Sequence, residues 1–325
     1  MITETLIDLP LAEQRVLVSG AAGFIGSQLA LRLAQEGAQV LAIDRVVNQQ
    51  LGCSHAAGLD TASLELSNRR VVFECIQTFR PNTIVHLACA PDAQESDQQL
   101  AKSIDQNLRL TVHLLEAFQE SGSELFILGD SSKVYGNSSV PFHSGLVPDP
   151  ISSYAVGKCA AWHYCRYFER LYGMKVVSVR PTIIYGPNQA FNVITHAIQC
   201  VLSSEPVIQL AGGLQTRDPL YIDDALEAYL AIVEAGQRLT GKVINIGGGS
   251  EITVLELVLR IVRLMGGSSR VEAVLANIRP TEILRSYCDN AEAYAWLGWR
   301  PLVELNEGLR KTIASFASHQ SQRVP

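Results

Sequence analysis

The chain has 325 residues, 47% hydrophobic and 18% charged, with a formal net charge of −6. That balance is globular and not disordered, and it argues against a general nucleic-acid binder, which carries a basic face. No apolar run approaches the ~20 residues of a membrane span, so no membrane partner is expected.

The first 14 residues contain no basic residue and no long apolar stretch, so no secretory signal is expected. Arg15 to Ser19 is a short apolar run ending in glycine, which reads as a buried strand. Gly20-Ala-Ala-Gly23-Phe24-Ile25-Gly26 follows at once, and Phe24 to Gln35 has helical apolar spacing. A glycine-rich turn between strand and helix lets the backbone approach a pyrophosphate, and the helix start supplies amide donors. The spacing is G-x-x-G-x-x-G, not the commoner G-x-G-x-x-G. Alone, such a loop also reads as a tight turn with no ligand. A second strand, Val40 to Ile43, ends in Asp44, roughly 20 residues on, where an acid accepts ribose hydroxyls and repels a 2′-phosphate. This favours NAD over NADP, with Arg45 softening the preference. The family resemblance set out below implies a third strand at Leu64-Glu65-Leu66-Ser67 and a fourth over Ile84 to Ala90.

Asp97 to Ser121 reads as one long helix with Ile104, Leu108, Val112 and Leu115 on one face. A fifth strand begins at Leu125. Ile151 to Tyr172 reads as a helix carrying Tyr154 and Lys158, four apart and therefore on one face. A Lys ammonium beside a Tyr hydroxyl favours the phenolate, and such a tyrosine can take a proton from an alcohol while hydride leaves the same carbon. Alone, the pair reads as a surface Tyr beside a solvated Lys. After Pro181 the rhythm breaks into Pro/Gly-rich turns. Leu220 to Gly247 returns to the main sheet through a helix from Asp223 and a strand at Val243 to Ile246. The expectation is α/β: a Rossmann-type, doubly wound parallel sheet with a smaller C-terminal substrate-binding region. The nucleotide-binding part covers 1–182 and 220–247; the substrate part covers 183–219 and 248–325. The seven Cys lack C-x-x-C spacing, which points to reduced thiols, a cytoplasmic location and no metal site. Cys89 and Cys159 read as small buried filler.

Taken in order, these motifs resemble the extended short-chain dehydrogenase/reductases, in their nucleotide-sugar epimerase/dehydratase group of the UDP-glucose 4-epimerase type. The resemblance runs from about Arg15 to about Phe316. It rests on the glycine loop, Ile84-Val-His-Leu-Ala-Cys-Ala90, Leu125-Phe-Ile-Leu-Gly-Asp-Ser131-Ser132-Lys133-Val-Tyr-Gly136, Tyr154 with Lys158, and Val176 to Pro187. Further matches are Thr216-Arg217-Asp218 through Asp224, Asn245-Ile-Gly-Gly, Arg279-Pro280 and Leu297-Gly-Trp-Arg-Pro301. It implies NAD held by Gly20, Gly23, Phe24, Ile25, Gly26, Asp44, Arg45, Glu65, Leu66, Leu87, Ala88, Ala90, Asn107, Tyr154, Lys158 and Pro181. It implies Tyr154 as acid/base, Lys158 holding down its pKa, and Ser131 bonding the reacting oxygen; Ser131 alone also reads as a strand-end cap. It implies a nucleotide-diphosphate sugar as partner, met by Ser132, Lys133, Asn192, Arg217 and Arg279. The two arginines alone also read as surface or interface residues.

Departures from the pattern narrow the reaction. Dehydratases and decarboxylases of the group carry an acid two places after the Ser/Thr, and here that place holds Lys133. Epimerase is therefore the expectation, with an NAD(P)H-dependent 4-keto-sugar reductase as alternative and a non-catalytic NAD sensor or assembly subunit as the reading from another class. His143, after Pro141, reads as a surface histidine. The resemblance also implies a homodimer through the 97–121 and 151–172 helices, with Leu100, Ile104, Thr111, Ala161, Tyr164, Cys165 and Phe168 as candidates for the shared face.

Overall fold

Short apolar runs ending at glycine or a polar turn become the strands of a parallel sheet, and the amphipathic stretches between them become its crossover helices. The structure, a computed structural model, describes residues 10–46, 51, 56–90 and 95–321. The first half alternates: β1 (Arg15–Ser19), α1 (Phe24–Gln35), β2 (Gln39–Asp44), β3 (Leu59–Ser63), α2 (Arg69–Phe79), β4 (Thr83–His86), α3 (97–121), β5 (Leu125–Gly129), α4 (Ser153–Tyr172) and β6 (Val176–Pro181). Shorter elements follow: β7 (Ile184–Tyr185), α5 (Val193–Leu202), β8 (Val207–Ala211), β9 (Thr216–Arg217), β10 (Leu220–Tyr221) and α6 (Ile222–Ala235). Then come β11 (Val243–Ile246), β12 (Ile252–Thr253), α7 (Val254–Leu264), β13 (Arg270–Val274), α8 (Ala291–Leu297) and α9 (Leu305–Ser321).

Seven strands form one sheet in the order β11-β6-β5-β4-β1-β2-β3, all parallel. The order reverses at β1, with β2 on one side and β4 on the other. This is the switch point outside whose carboxyl ends such sheets bind ligands. Alternate residues of β1 serve opposite faces: Val16 and Val18 pack with Leu29 and Leu33 of α1, while Leu17 packs with Leu114 and Phe118 of α3 and Trp162 of α4. Outside the sheet, β7 pairs with β10, β8 with β13 and β9 with β12.

Three expectations need correction. The third strand is Leu59–Ser63, not Leu64 to Ser67. Leu64 and Leu66 are core plugs just beyond it, and Leu64 N–H ends the ladder on Asp44 O at 2.7 Å. Helix α3 is α-helical over Asp97–Ser103, π over Ile104–Arg109 and α again over Leu110–Ser121. The wider π turn rotates the face, so Ile104 is exposed while Leu115 is buried. Of the residues considered for a shared surface, Ala161, Cys165, Phe168 and Thr111 belong to the chain's own core. The exposed apolar stripe of α4 is Val156, Tyr164, Tyr167 and Leu171. Among the described residues no helix is long and apolar enough to cross a membrane.

Candidate active site

The loops at the carboxyl ends of β1 to β6 open into one cleft of about 660 Å³. It gathers Gly20, Gly23, Phe24, Ile25 and Gly26 from the first loop, Asp44 and Arg45 after β2, Glu65 and Leu66 after β3, and Leu87 and Ala88 after β4. Ser131, Lys133, Tyr154, Lys158 and Pro181 line the other end. The first loop folds onto the start of α1 so closely that a Cβ on Gly26 would lie 2.2 Å from Gly20 O. Only glycine leaves a bare backbone cradle there, and this suits a dinucleotide pyrophosphate. Asp44 Oδ2 accepts from Ala22 N–H at 2.9 Å and Oδ1 from Arg45 N–H at 2.7 Å. The acid thus ties the loop to β2 while facing the cleft.

At the inner end, Ser152 caps α4 by accepting from Ala155 N–H, which starts the helix just before Tyr154. Lys158 is 2% exposed; its Nζ donates to Gly129 O at 2.6 Å and lies 5.9 Å from the Tyr154 ring centre. Ser131 lines the cleft and also caps the turn Ser132–Tyr135, its Oγ accepting from Lys133 N–H at 3.2 Å. The reading of this serine as a cap therefore holds, and its place on the cleft lining leaves it facing the site.

Several expected residues stand behind the wall. Asn107 and Ala90 are 1% exposed and do not line the cleft. Asn107 Oδ1 accepts from Ala90 N–H at 2.8 Å, its Nδ2 donates to Ser103 Oγ at 3.2 Å, and Ser103 Oγ donates to Ser153 O at 2.5 Å. The π turn therefore braces the loop after β4 against the residue preceding Tyr154. Gly157 permits this: a Cβ there would lie 2.5 Å from Ser103 Oγ. His86, also buried, spans Ser19 Oγ at 2.7 Å and Thr111 Oγ1 at 3.1 Å. Thr111 gives its hydroxyl hydrogen to Asn107 O, so His86 Nε2 is the donor to Thr111 and Nδ1 accepts from Ser19. Burial, aided by the Lys158 charge, lowers the His86 pKa to about 3. Ser132 is buried away from the cleft.

The expected substrate residues beyond β6 form a neighbouring group outside the cleft lining. Asn192 caps α5, accepting from Thr195 N–H, and its Nδ2 donates to Gln189, which does line the cleft. Arg217 Nη1 donates to Thr216 O and Ile283 O at 2.6 and 2.9 Å, and its Nη2 pairs with Glu282. Arg279 Nε reaches the other oxygen of Glu282 at 3.3 Å. One buried carboxylate thus holds both guanidiniums. Next to Arg217, Asp218 accepts from Ser250 and Cys288 N–H at 3.1 and 3.2 Å. Burial pushes its pKa up to about 7 against those bonds.

Sequence reasoning missed Asp130 and Glu282. Asp130 lines the cleft and joins Arg180 Nε at 2.7 Å, Ser178 Oγ at 2.8 Å and Ser131 N–H at 2.8 Å. Arg180 in an otherwise apolar strand was the available signal, since a buried guanidinium requires a buried acid. Cys89, expected as filler, is exposed and lines the cleft. Cys159 packs partly buried against the cluster of Val134, Tyr135 and Phe142. His143 is exposed. Among the described residues no group of His, Cys, Asp and Glu could hold a metal ion.

Residues 16–247 match the family model described as the NAD dependent epimerase/dehydratase family. The chain is 30% identical over 312 residues to the UDP-glucose 4-epimerase of Mycolicibacterium smegmatis, covering 93% of this chain and 98% of that one. It is 29% identical to the human dTDP-D-glucose 4,6-dehydratase, covering 92% and 89%. The crystal structure of UDP-glucuronic acid 4-epimerase from Bacillus cereus, in complex with UDP-glucuronic acid and NAD, superposes with a TM-score of 0.87 at 27% identity, covering 94% and 99%. The glycine cradle, the acid after β2 and these matches agree: the chain belongs to the NAD-dependent epimerase/dehydratase family of the extended short-chain dehydrogenase/reductases, and it is an enzyme with NAD as its cofactor.

Proposed function

We propose that the enzyme epimerises a nucleotide-diphosphate sugar by transient hydride transfer from a hydroxyl-bearing carbon. The observation that carries this is the meeting of Ser131, Tyr154 and Lys158 with the glycine loop in one cleft. NAD, when bound, supplies the acceptor and then the donor of hydride. Tyr154 takes the proton of the sugar hydroxyl and returns it. Lys158, held by Gly129 O, keeps the phenolate accessible. Ser131 Oγ bonds the reacting oxygen, and Asp130 fixes the serine's backbone. Arg217 and Arg279 take the diphosphate, since a guanidinium fork matches phosphate oxygens. Lys133 stands where elimination of water would need a carboxylic acid, which favours epimerisation over dehydration. Asp44 on the cleft favours NAD and so disfavours the ketoreductase alternative.

The stripe of Val156, Tyr164, Tyr167 and Leu171 on α4, with Leu100 and Ile104 on α3, exposes more apolar surface than a solvated helix pair presents. We read it as the isologous interface of a homodimer.

The test is Tyr154→Phe, assayed by mass spectrometry and chiral separation against UDP-, dTDP-, GDP- and CDP-sugars. Turnover should fall by roughly 10² or more, the scale of general acid/base catalysis, with NAD affinity retained. Near-normal turnover would refute the assignment.

A further inference from the structure

Tyr229 lines the cleft and has no part in the reaction above. It sits on α6, whose Ala225, Leu226, Ile232 and Val233 pack with it on the face of the sheet that α1 covers. Tyr154 and Lys158 come from α4, whose Ala161, Trp162 and Cys165 pack on the other face. The two helices therefore bring side chains to the cleft from opposite sides of the sheet. Tyr229 is 1% exposed. Among the described residues its Oη makes no hydrogen bond, yet it is not sealed from solvent; what it reaches is the cleft. Burial pushes its pKa up, and the Asp130 and Cys89 charges act in the same direction, so the hydroxyl stays protonated. A buried tyrosine hydroxyl ordinarily has a partner, and one without it costs the fold the desolvation of the group.

The place of this hydroxyl points to what it meets. Asp130, close enough for its charge to bear on Tyr229, is the residue before Ser131. Tyr229 therefore stands at the inner end of the cleft, away from Asp44 and Glu65. With the pyrophosphate on the glycine loop and the adenosine ribose at Asp44, the nicotinamide ring of NAD falls at this inner end. Pro181, Ile183 and Ile184 line the cleft there, and Ile184 packs in the same cluster as Tyr229. Two polar neighbours are already engaged: Thr182 Oγ1 donates to Asp218 O at 2.6 Å, and Asp130 holds Arg180 and Ser178. Cys89 offers only a weak thiol donor. A nicotinamide ring suits such a wall in all but its carboxamide, which carries two N–H donors and a carbonyl acceptor and needs a polar partner. A neutral tyrosine hydroxyl can donate to that carbonyl or accept from that amide.

From this unpartnered hydroxyl in an apolar wall we propose that Tyr229 is a cofactor-binding residue, whose Oη takes the carboxamide of the nicotinamide. The proposal requires NAD as cofactor and is independent of whether the enzyme epimerises or reduces. Tyr229 positions the ring; it moves no proton.

The test is titration calorimetry of the NAD-free full chain with NAD and with ADP-ribose, which has the rest of the dinucleotide but no nicotinamide ring. Tyr229→Phe removes the hydroxyl and keeps the ring. It should weaken NAD about 5-fold, the order of one neutral hydrogen bond, and leave ADP-ribose affinity unchanged. A second measurement is the melting temperature without NAD, which Tyr229→Phe should leave equal to the wild type's or raise, because the hydroxyl lost had no partner in the fold. Unchanged NAD affinity would overturn the proposal. So would an equal loss of NAD and ADP-ribose, or a lower melting temperature of the NAD-free variant, either of which would make the hydroxyl a structural group. The readouts are binding and stability alone, so the result stands or falls apart from the reaction proposed above.

Discussion

Removing the Asp130 carboxylate should be among the costliest single changes in the molecule. Its side chain and that of Arg180 are 0% and 2% exposed, at 2.7 Å. Asp130→Ala strands a guanidinium in the core, and breaking a buried pair from one side costs about 3–5 kcal/mol. Ser178 Oγ and Ser131 N–H lose the same acceptor. Tyr135, whose ring centre lies 5.0 Å from the Arg180 guanidinium carbon and whose hydroxyl also meets that side chain, carries no negative charge to replace the lost carboxylate. At about 2 °C per kcal/mol for a large chain, the melting temperature should drop by about 6–10 °C. Asp130→Leu combined with Arg180→Met removes both charges at similar volume and should recover most of that loss. The assay is differential scanning calorimetry of the wild type, both single variants and the double variant at one NAD concentration. If the double variant lost the sum of the singles, the two charges would not be coupled and the account of this pair would be wrong.

Two further outcomes are expected. His86, whose folded pKa is lowered from 6.5 to about 3, contributes stability that is present above pH 6.5 and lost as pH falls toward 3. Asp218, raised from 3.8 to about 7, contributes stability that is present below 3.8 and lost as pH rises to 7, so the two oppose each other. The stability gap between wild type and His86→Gln should therefore shrink between pH 6.5 and 4, as followed by thermal melts, and a gap independent of pH would contradict this. In sedimentation at micromolar concentration the wild type should run at twice 35.4 kDa, and Tyr167→Arg with Leu171→Arg should return it to one chain's mass; a monomeric wild type would remove the interface.

The nucleotide end of the site was legible because its signals are local. The glycine loop, the acid after the second strand and the i, i+4 pair of Tyr154 and Lys158 are set by backbone sterics and helix geometry within a few residues. What the linear pattern hid depends on pairings far apart in the chain. Asp130 meets Arg180 across two strands, and Glu282 meets Arg217 across 65 positions. The π turn at Ile104–Arg109 also lay beyond reach. Periodicity assumes 3.6 residues per turn, and this turn departs from it to let Asn107 reach Ala90 and Ser103. The third strand was misplaced because Leu64 and Leu66 are apolar for core packing just past the ladder's end.

The central claim, reversible hydride removal at a carbon that keeps its own hydrogen, is tested most directly by running the reaction in deuterium oxide. A nucleotide sugar that the enzyme turns over, incubated to equilibrium and read by proton NMR and mass spectrometry, should yield its epimer with no deuterium on any ring carbon. Solvent deuterium in the ring, or a product changed in oxidation state or lacking a water, would contradict it.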